Sequence, residues 1–90
     1  MIINKSEILN KICYTELVYQ RINKKLNTQL SKPEIENMLY DILNESPEKY
    51  FEKIGKNIYV THSEKNIKIT INLNTFRIIT VDKIRHKERC

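Results

Sequence analysis

The sequence predicts an α+β fold: two N-terminal helices and a short third helix, packed on one face of a C-terminal three-stranded antiparallel β-meander. Three observations carry that prediction. Ile67, Ile69, Ile71 and then Phe76 and Ile78 alternate with other residues on either side of Leu73-Asn74-Thr75, the pattern of two strands joined by a tight turn. Ile35, Met38, Leu39, Ile42 and Leu43 recur with the helical period. Ninety residues, 40% hydrophobic and 30% charged, suit one small globular domain with a modest core. The expected organisation is a domain over residues 1–84 and a charged tail over 85–90.

Taken in order, Ser6 is a candidate N-cap, and Ile8, Ile12, Tyr19, Ile22 and Leu26 gather on one helical stripe with Leu9, Cys13 and Leu17 beside it. A break near Tyr14-Thr15, with Thr15 capping a second segment, would make two helices; periodicity alone leaves one or two open. Ser31-Lys32-Pro33-Glu34 is a capping box with proline in the first turn, so the next helix starts there and runs to about Asn44. Ser46-Pro47 starts a short helix through Phe51, and Gly55 suits the left-handed conformation that releases the chain into strands. Ile58 and Val60, flanked by Tyr59 and Thr61, form the first strand.

A hairpin loop of two or four residues puts Ile67, Ile69, Ile71, Phe76 and Ile78 against the helices. Lys68, Thr70, Asn72, Arg77, Ile79 and Val81 then face outward. A three-residue loop pairs the Ile67 set with Arg77, Ile79 and Val81 instead.

Charge is unevenly spread. Residues 1–30 hold five basic and two acidic side chains, 31–56 four and six, and 57–90 seven and three. A total of +5 permits attraction to phosphate-bearing partners and equally serves solubility. Cys13 and Cys90 have no spacing that suggests a disulfide framework or a zinc site, which fits a reducing cytoplasm. No apolar run approaches the roughly 20 residues of a membrane span, and no signal-peptide pattern opens the chain. Neither a cofactor nor a metal site is expected.

Several of these stretches together carry a family resemblance: Ile12-Cys13-Tyr14-Thr15-Glu16-Leu17-Val18-Tyr19, the Ser31-Lys32-Pro33-Glu34 helix start, Asn66-Ile67-Lys68-Ile69-Thr70-Ile71-Asn72, and Asn74-Thr75-Phe76-Arg77. The chain resembles, over nearly its whole length, a family of small low-GC bacterial proteins known only as a domain of unknown function. That resemblance implies a bacterial or mobile-element origin and supplies no catalytic residue. The order of helices before a basic sheet is also similar to small ribonuclease toxins, at the level of fold only.

Three functions are weighed. In the leading one the protein is a non-catalytic inhibitor that docks on a larger protein or ribonucleoprotein effector, of the anti-CRISPR type that blocks an RNA-guided nuclease. It would act as a monomer or weak dimer through outward-facing Lys68, Thr70, Asn72, Arg77, Ile79, Val81 and Lys83 with Arg85, Lys87 and Arg89 beyond, or through an acidic helix face of Glu34, Glu36, Asp41 and Glu45. In the second it is a toxin-type ribonuclease, in which His62 would move the 2′-hydroxyl proton while Arg77 stabilises the phosphorane, assisted by Thr70 and Tyr59. The third is a basic regulator that binds RNA or DNA phosphates directly.

Overall fold

The computed structural model describes residues 4–84. Helix α1 spans Lys5–Lys11, with Asn4 rather than Ser6 as its N-cap: the Asn4 side chain accepts from the Glu7 amide. The long N-terminal pattern is two helices. At Cys13 the chain is extended and bridges to Arg77, the Cys13 amide donating to the Phe76 carbonyl and its carbonyl accepting from the Ile78 amide, each at 2.9 Å. Backbone groups at a sheet edge need partners, and this connection supplies two of them. Helix α2 then runs Glu16–Leu26 from Thr15, which occupies the N-cap position without a side-chain bond, and ends on left-handed Asn27.

Helix α3 covers Lys32–Glu45 behind the expected capping box, with both reciprocal bonds of Ser31 and Glu34 present. Its last carbonyls are also held. The Ser46 hydroxyl donates to the Ile42 carbonyl, and the Lys5 ammonium donates to the Asn44 and Ser46 carbonyls at 2.7 Å each. A cation at a helix C-terminus is favourable because the unpaired carbonyls there carry partial negative charge.

The sheet has four strands, β1 Phe51–Ile54, β2 Asn57–His62, β3 Ile67–Asn72 and β4 Ile78–Lys83, in a sequential antiparallel meander. The expectation of three was one short. Only Glu48–Tyr50 forms the short turn of helix expected after Ser46-Pro47, and Phe51 opens a strand instead. Its side chain completes a buried row, since the register aligns Phe51, Val60, Ile69 and Val81 across all four strands. Gly55, at φ 60°, makes the β1–β2 turn.

The β3–β4 hairpin combines the two anticipated registers. Asn72 donates to the Arg77 carbonyl and Phe76 donates back to the Asn72 carbonyl, which closes a four-residue loop and sets Ile71 opposite Ile78. Thr70, however, faces Thr80, so Ile79 is an extra residue in β4. Such a bulge reverses the side-chain alternation beyond it. Val81, expected outward, is therefore in the core with no exposure, while Ile79 is half-buried.

One core unites these elements: Ile8 from α1, Val18, Ile22 and Leu26 from α2, Ile35, Leu39, Ile42 and Leu43 from α3, and the inward residues of all four strands. By register, Glu52, Tyr59, Thr61, Lys68, Thr70 and Asp82 lie on the other sheet face. Tyr59, Thr61, Lys68 and Asp82 are half-buried there; Thr70, between Tyr59 and Thr80, is buried. The expected tail, including Arg85, Lys87 and Arg89, lies outside the described residues.

Candidate docking surface

The groups expected for ribonuclease chemistry are not brought together. His62 pairs with Ile67 at one end of β3, and Arg77 hydrogen-bonds Asn72 at the other. Five residue steps at about 3.4 Å each separate those ends by about 17 Å. Tyr59 and Thr70 are direct cross-strand neighbours on the outer face, whereas His62 shares the inward alternation of Ile58 and Val60. The Lys68 ammonium sits 5.5 Å from the Tyr59 ring centroid.

His62 is 9% exposed, and both ring nitrogens are engaged. Nδ1 accepts from the Lys65 amide and Nε2 lies 3.3 Å from the Glu45 carboxylate, an arrangement that places the neutral ring's proton on Nε2. The ring thus ties the β2–β3 turn to the end of α3. A polar pocket of about 220 Å³ adjoins it, lined by residues that include Glu45, Tyr50, Thr61 and Glu64. Among the described residues, no group of three or more His, Cys, Asp and Glu side chains could hold a metal ion.

The acidic helix face is exposed, as expected, and most of it has partners within the chain. Glu34 closes the capping box, and its carboxyl is held below the ordinary value by the Ser31 amide and hydroxyl that bond it. Glu36 accepts from the Tyr19 hydroxyl at 2.5 Å. Desolvation, then this bond and the Glu36 charge, push the Tyr19 phenol up to about 12. Tyr14, stacked on Tyr19 with centroids 5.5 Å apart, is raised as well, by burial first and then by the negative charge of Glu36. Glu45 meets His62, which leaves Asp41 as the one member of this face without an ion-pair or hydrogen-bond partner among the described residues.

The opposite situation holds on the flank of α2. Leu17, Gln20, Arg21, Lys24 and Lys25 fall at helical spacing on the side turned away from Val18, Ile22 and Leu26. Leu17 is 69% exposed, the largest exposure among the big hydrophobic residues described. Arg21 donates to the Ile79 carbonyl at 3.2 Å, so the bulged residue of β4 is held by the helix beside it. Lys25 pairs with Asp82 at 2.8 Å and joins the flank to the outer sheet face, where Asp82 stands opposite Lys68. Between helix and strand lies a groove of about 210 Å³ whose walls include Leu17, Val18, Arg21, Arg77 and Ile79. Lys24 and the Arg77 guanidinium have no acceptor among the described residues.

Of the expected outward set, Arg77 and Ile79 therefore meet at this groove. Lys68 and Thr70 lie on the adjoining sheet face. Asn72 is spent on the hairpin turn, its side chain accepting from the Asn74 and Thr75 amides. Lys83 is exposed at the far end of β4, opposite Ile67. Sequence reasoning missed Arg21, Lys24 and Lys25, although Leu17, Arg21, Lys24 and Lys25 stand at i, i+4, i+7 and i+8, a stripe with no carboxylate in it.

Fold and surface together define a small α+β domain with a basic, partly apolar flank at one sheet edge. The chain belongs to the family described as "Protein of unknown function (DUF3781)", which it matches over residues 6–82. No curated protein and no solved structure matches it. No helix among the described residues is long and apolar enough to cross a membrane.

Proposed function

We propose that the protein is a non-catalytic docking protein that acts on a larger, nucleic-acid-processing partner by covering one of its surfaces. The observation that carries this reading is the gathering of Arg21, Lys24, Lys25 and Arg77 around exposed Leu17, where Asp82 pairs with Lys25 and Glu16 with Lys32. An apolar centre rimmed by cations is the anatomy of a protein-interaction surface. Its positive rim would steer encounter with an anionic partner. The separation of His62 from Arg77 favours docking over RNA cleavage.

The specific form of the proposal is an inhibitor of an RNA-guided nuclease, of the anti-CRISPR type, that blocks the effector by covering an anionic surface of it. Cells whose RNA-guided nuclease targets a plasmid test it. Expression of the protein should raise transformation by that plasmid toward the untargeted value, and the purified protein should co-elute with the purified effector. Neither effect, together with RNA cleavage by the purified protein, would return the ribonuclease reading. Tight, salt-sensitive binding to free RNA or DNA without co-elution would instead mark a nucleic-acid-binding regulator.

A further inference from the structure

The α2–β4 groove also indicates what part of a partner it holds, an inference that rests on the docking reading. Its lining combines aliphatic Leu17, Val18, Ile78 and Ile79 with Thr15, Arg21 and Arg77, and it contains no aromatic platform. Binding of single-stranded nucleic acid relies on aromatic faces on which bases stack. On the outer sheet face the Tyr59 ring already carries the Lys68 ammonium. Its volume of about 210 Å³ is room for an inserted side chain.

The charges around it are arranged for carboxylates. Arg21 spends an N–H donor on the Ile79 carbonyl, which fixes the guanidinium at the groove edge with its other donors available. Arg77, also in the groove lining, is exposed and its guanidinium is unpaired among the described residues. Two arginine forks in one lining with aliphatic residues match carboxylates next to an apolar residue. Lys24 continues the positive rim along α2.

We infer that this groove binds an acidic peptide segment of a protein partner, one apolar side chain entering between Leu17 and Ile79 while flanking carboxylates meet Arg21 and Arg77. The partner recognised here is protein rather than phosphate backbone. Because Leu17 is mostly exposed and Arg77 makes no side-chain bond among the described residues, both can be substituted with the fold intact.

The test uses the full chain and a fluorescein-labelled synthetic peptide of glutamates around a single central leucine. A second probe is a single-stranded RNA oligonucleotide of the same net charge. Fluorescence anisotropy should show the peptide binding more tightly than the RNA. Leu17→Ser and Arg77→Glu should each weaken the peptide by about tenfold, and Lys53→Glu on the distant β1 strand should leave it unchanged. Amide shifts on titration should concentrate at residues 15–21 and 77–79. Tighter binding of RNA than of peptide, with Leu17→Ser silent, would overturn the inference in favour of a phosphate-binding surface. Absence of peptide binding would overturn it outright. Failure of the docking reading looks different: wild-type protein is then inactive in the transformation assay. If wild type is active there and Leu17→Ser and Arg77→Glu remain fully active, the groove inference alone has failed.

Discussion

The two ends of the β3 strand solve opposite problems. At the His62 end the polar groups nearest the core find partners inside the chain: His62 takes the Lys65 amide and Glu45, and Lys5 and Ser46 finish the carbonyls of α3. At the Arg77 end the backbone is equally well closed, by Cys13 and Arg21 against the edge of β4, yet the side chains of Leu17, Lys24 and Arg77 are left facing solvent. A buried histidine with both nitrogens engaged is part of the architecture. Cations without partners beside an exposed leucine are available for something outside the chain. Residue type alone, which pointed to His62, is a poorer guide to a site than whether the group's bonding capacity is already used.

The sharpest break in this comparison comes from the core that joins the two ends. Ile69→Ala removes the centre of the Phe51–Val60–Ile69–Val81 row and should cost about 2–5 kcal/mol in urea unfolding, a large share of the stability of so small a domain. Val81→Ala should also be clearly destabilising. A change within about 0.5 kcal/mol, the level of ordinary surface substitutions, would mean that Val81 faces out and that the bulge is misplaced.

At the His62 end, His62→Ala should cost about 1–3 kcal/mol through lost packing and an unpaired amide, and should leave partner binding untouched. Ser31→Ala, which removes the N-cap of α3, should cost about 0.5–2 kcal/mol at neutral pH. The Glu34 carboxyl is lowered in the folded state, so its contribution is present above its unfolded value and is lost as pH falls through the lowered one. The Ser31→Ala difference should accordingly shrink in acid. Alkaline titration reads the Tyr14–Tyr19 contact. A phenol raised in the folded protein favours folding below its ordinary value of about 10, and that contribution disappears as pH rises toward 12. Tyrosinate absorbance should therefore develop late for these two rings, and Glu36→Gln should bring Tyr19 down.

Much of the fold was legible because it rests on local patterns. The capping box, the Ile35–Leu43 stripe and the Ile67, Ile69, Ile71 alternation each have a short-range cause and appear as expected. Strand β1 was hidden because Phe-Glu-Lys-Ile is short, half charged and follows a helix-starting Ser-Pro. The bulge was hidden for another reason. Ile78 and Val81 both satisfy the core only with an extra residue between them, and that compensation comes from Cys13 and Arg21, distant in sequence. The docking flank is half legible: the strand pattern points to Arg77 and Ile79, but periodicity sets Leu17 beside the apolar stripe of Ile8, Ile12, Tyr19, Ile22 and Leu26. Only the break at Cys13 shows that α2 turns Leu17, Arg21 and Lys24 outward together.

The smallest expected effect on stability falls at the Arg77 end. Leu17→Ser should move the urea midpoint by less than about 0.5 kcal/mol equivalent while weakening the docking interaction.

The most direct measurement places a photo-crosslinking amino acid at position 17 in one variant and at position 50, in the His62 pocket, in another, and irradiates each with the purified effector. Adducts from position 17 and none from position 50 are the predicted result. Adducts from position 50 with none from position 17 would contradict the assignment of the α2–β4 flank as the face that meets the partner.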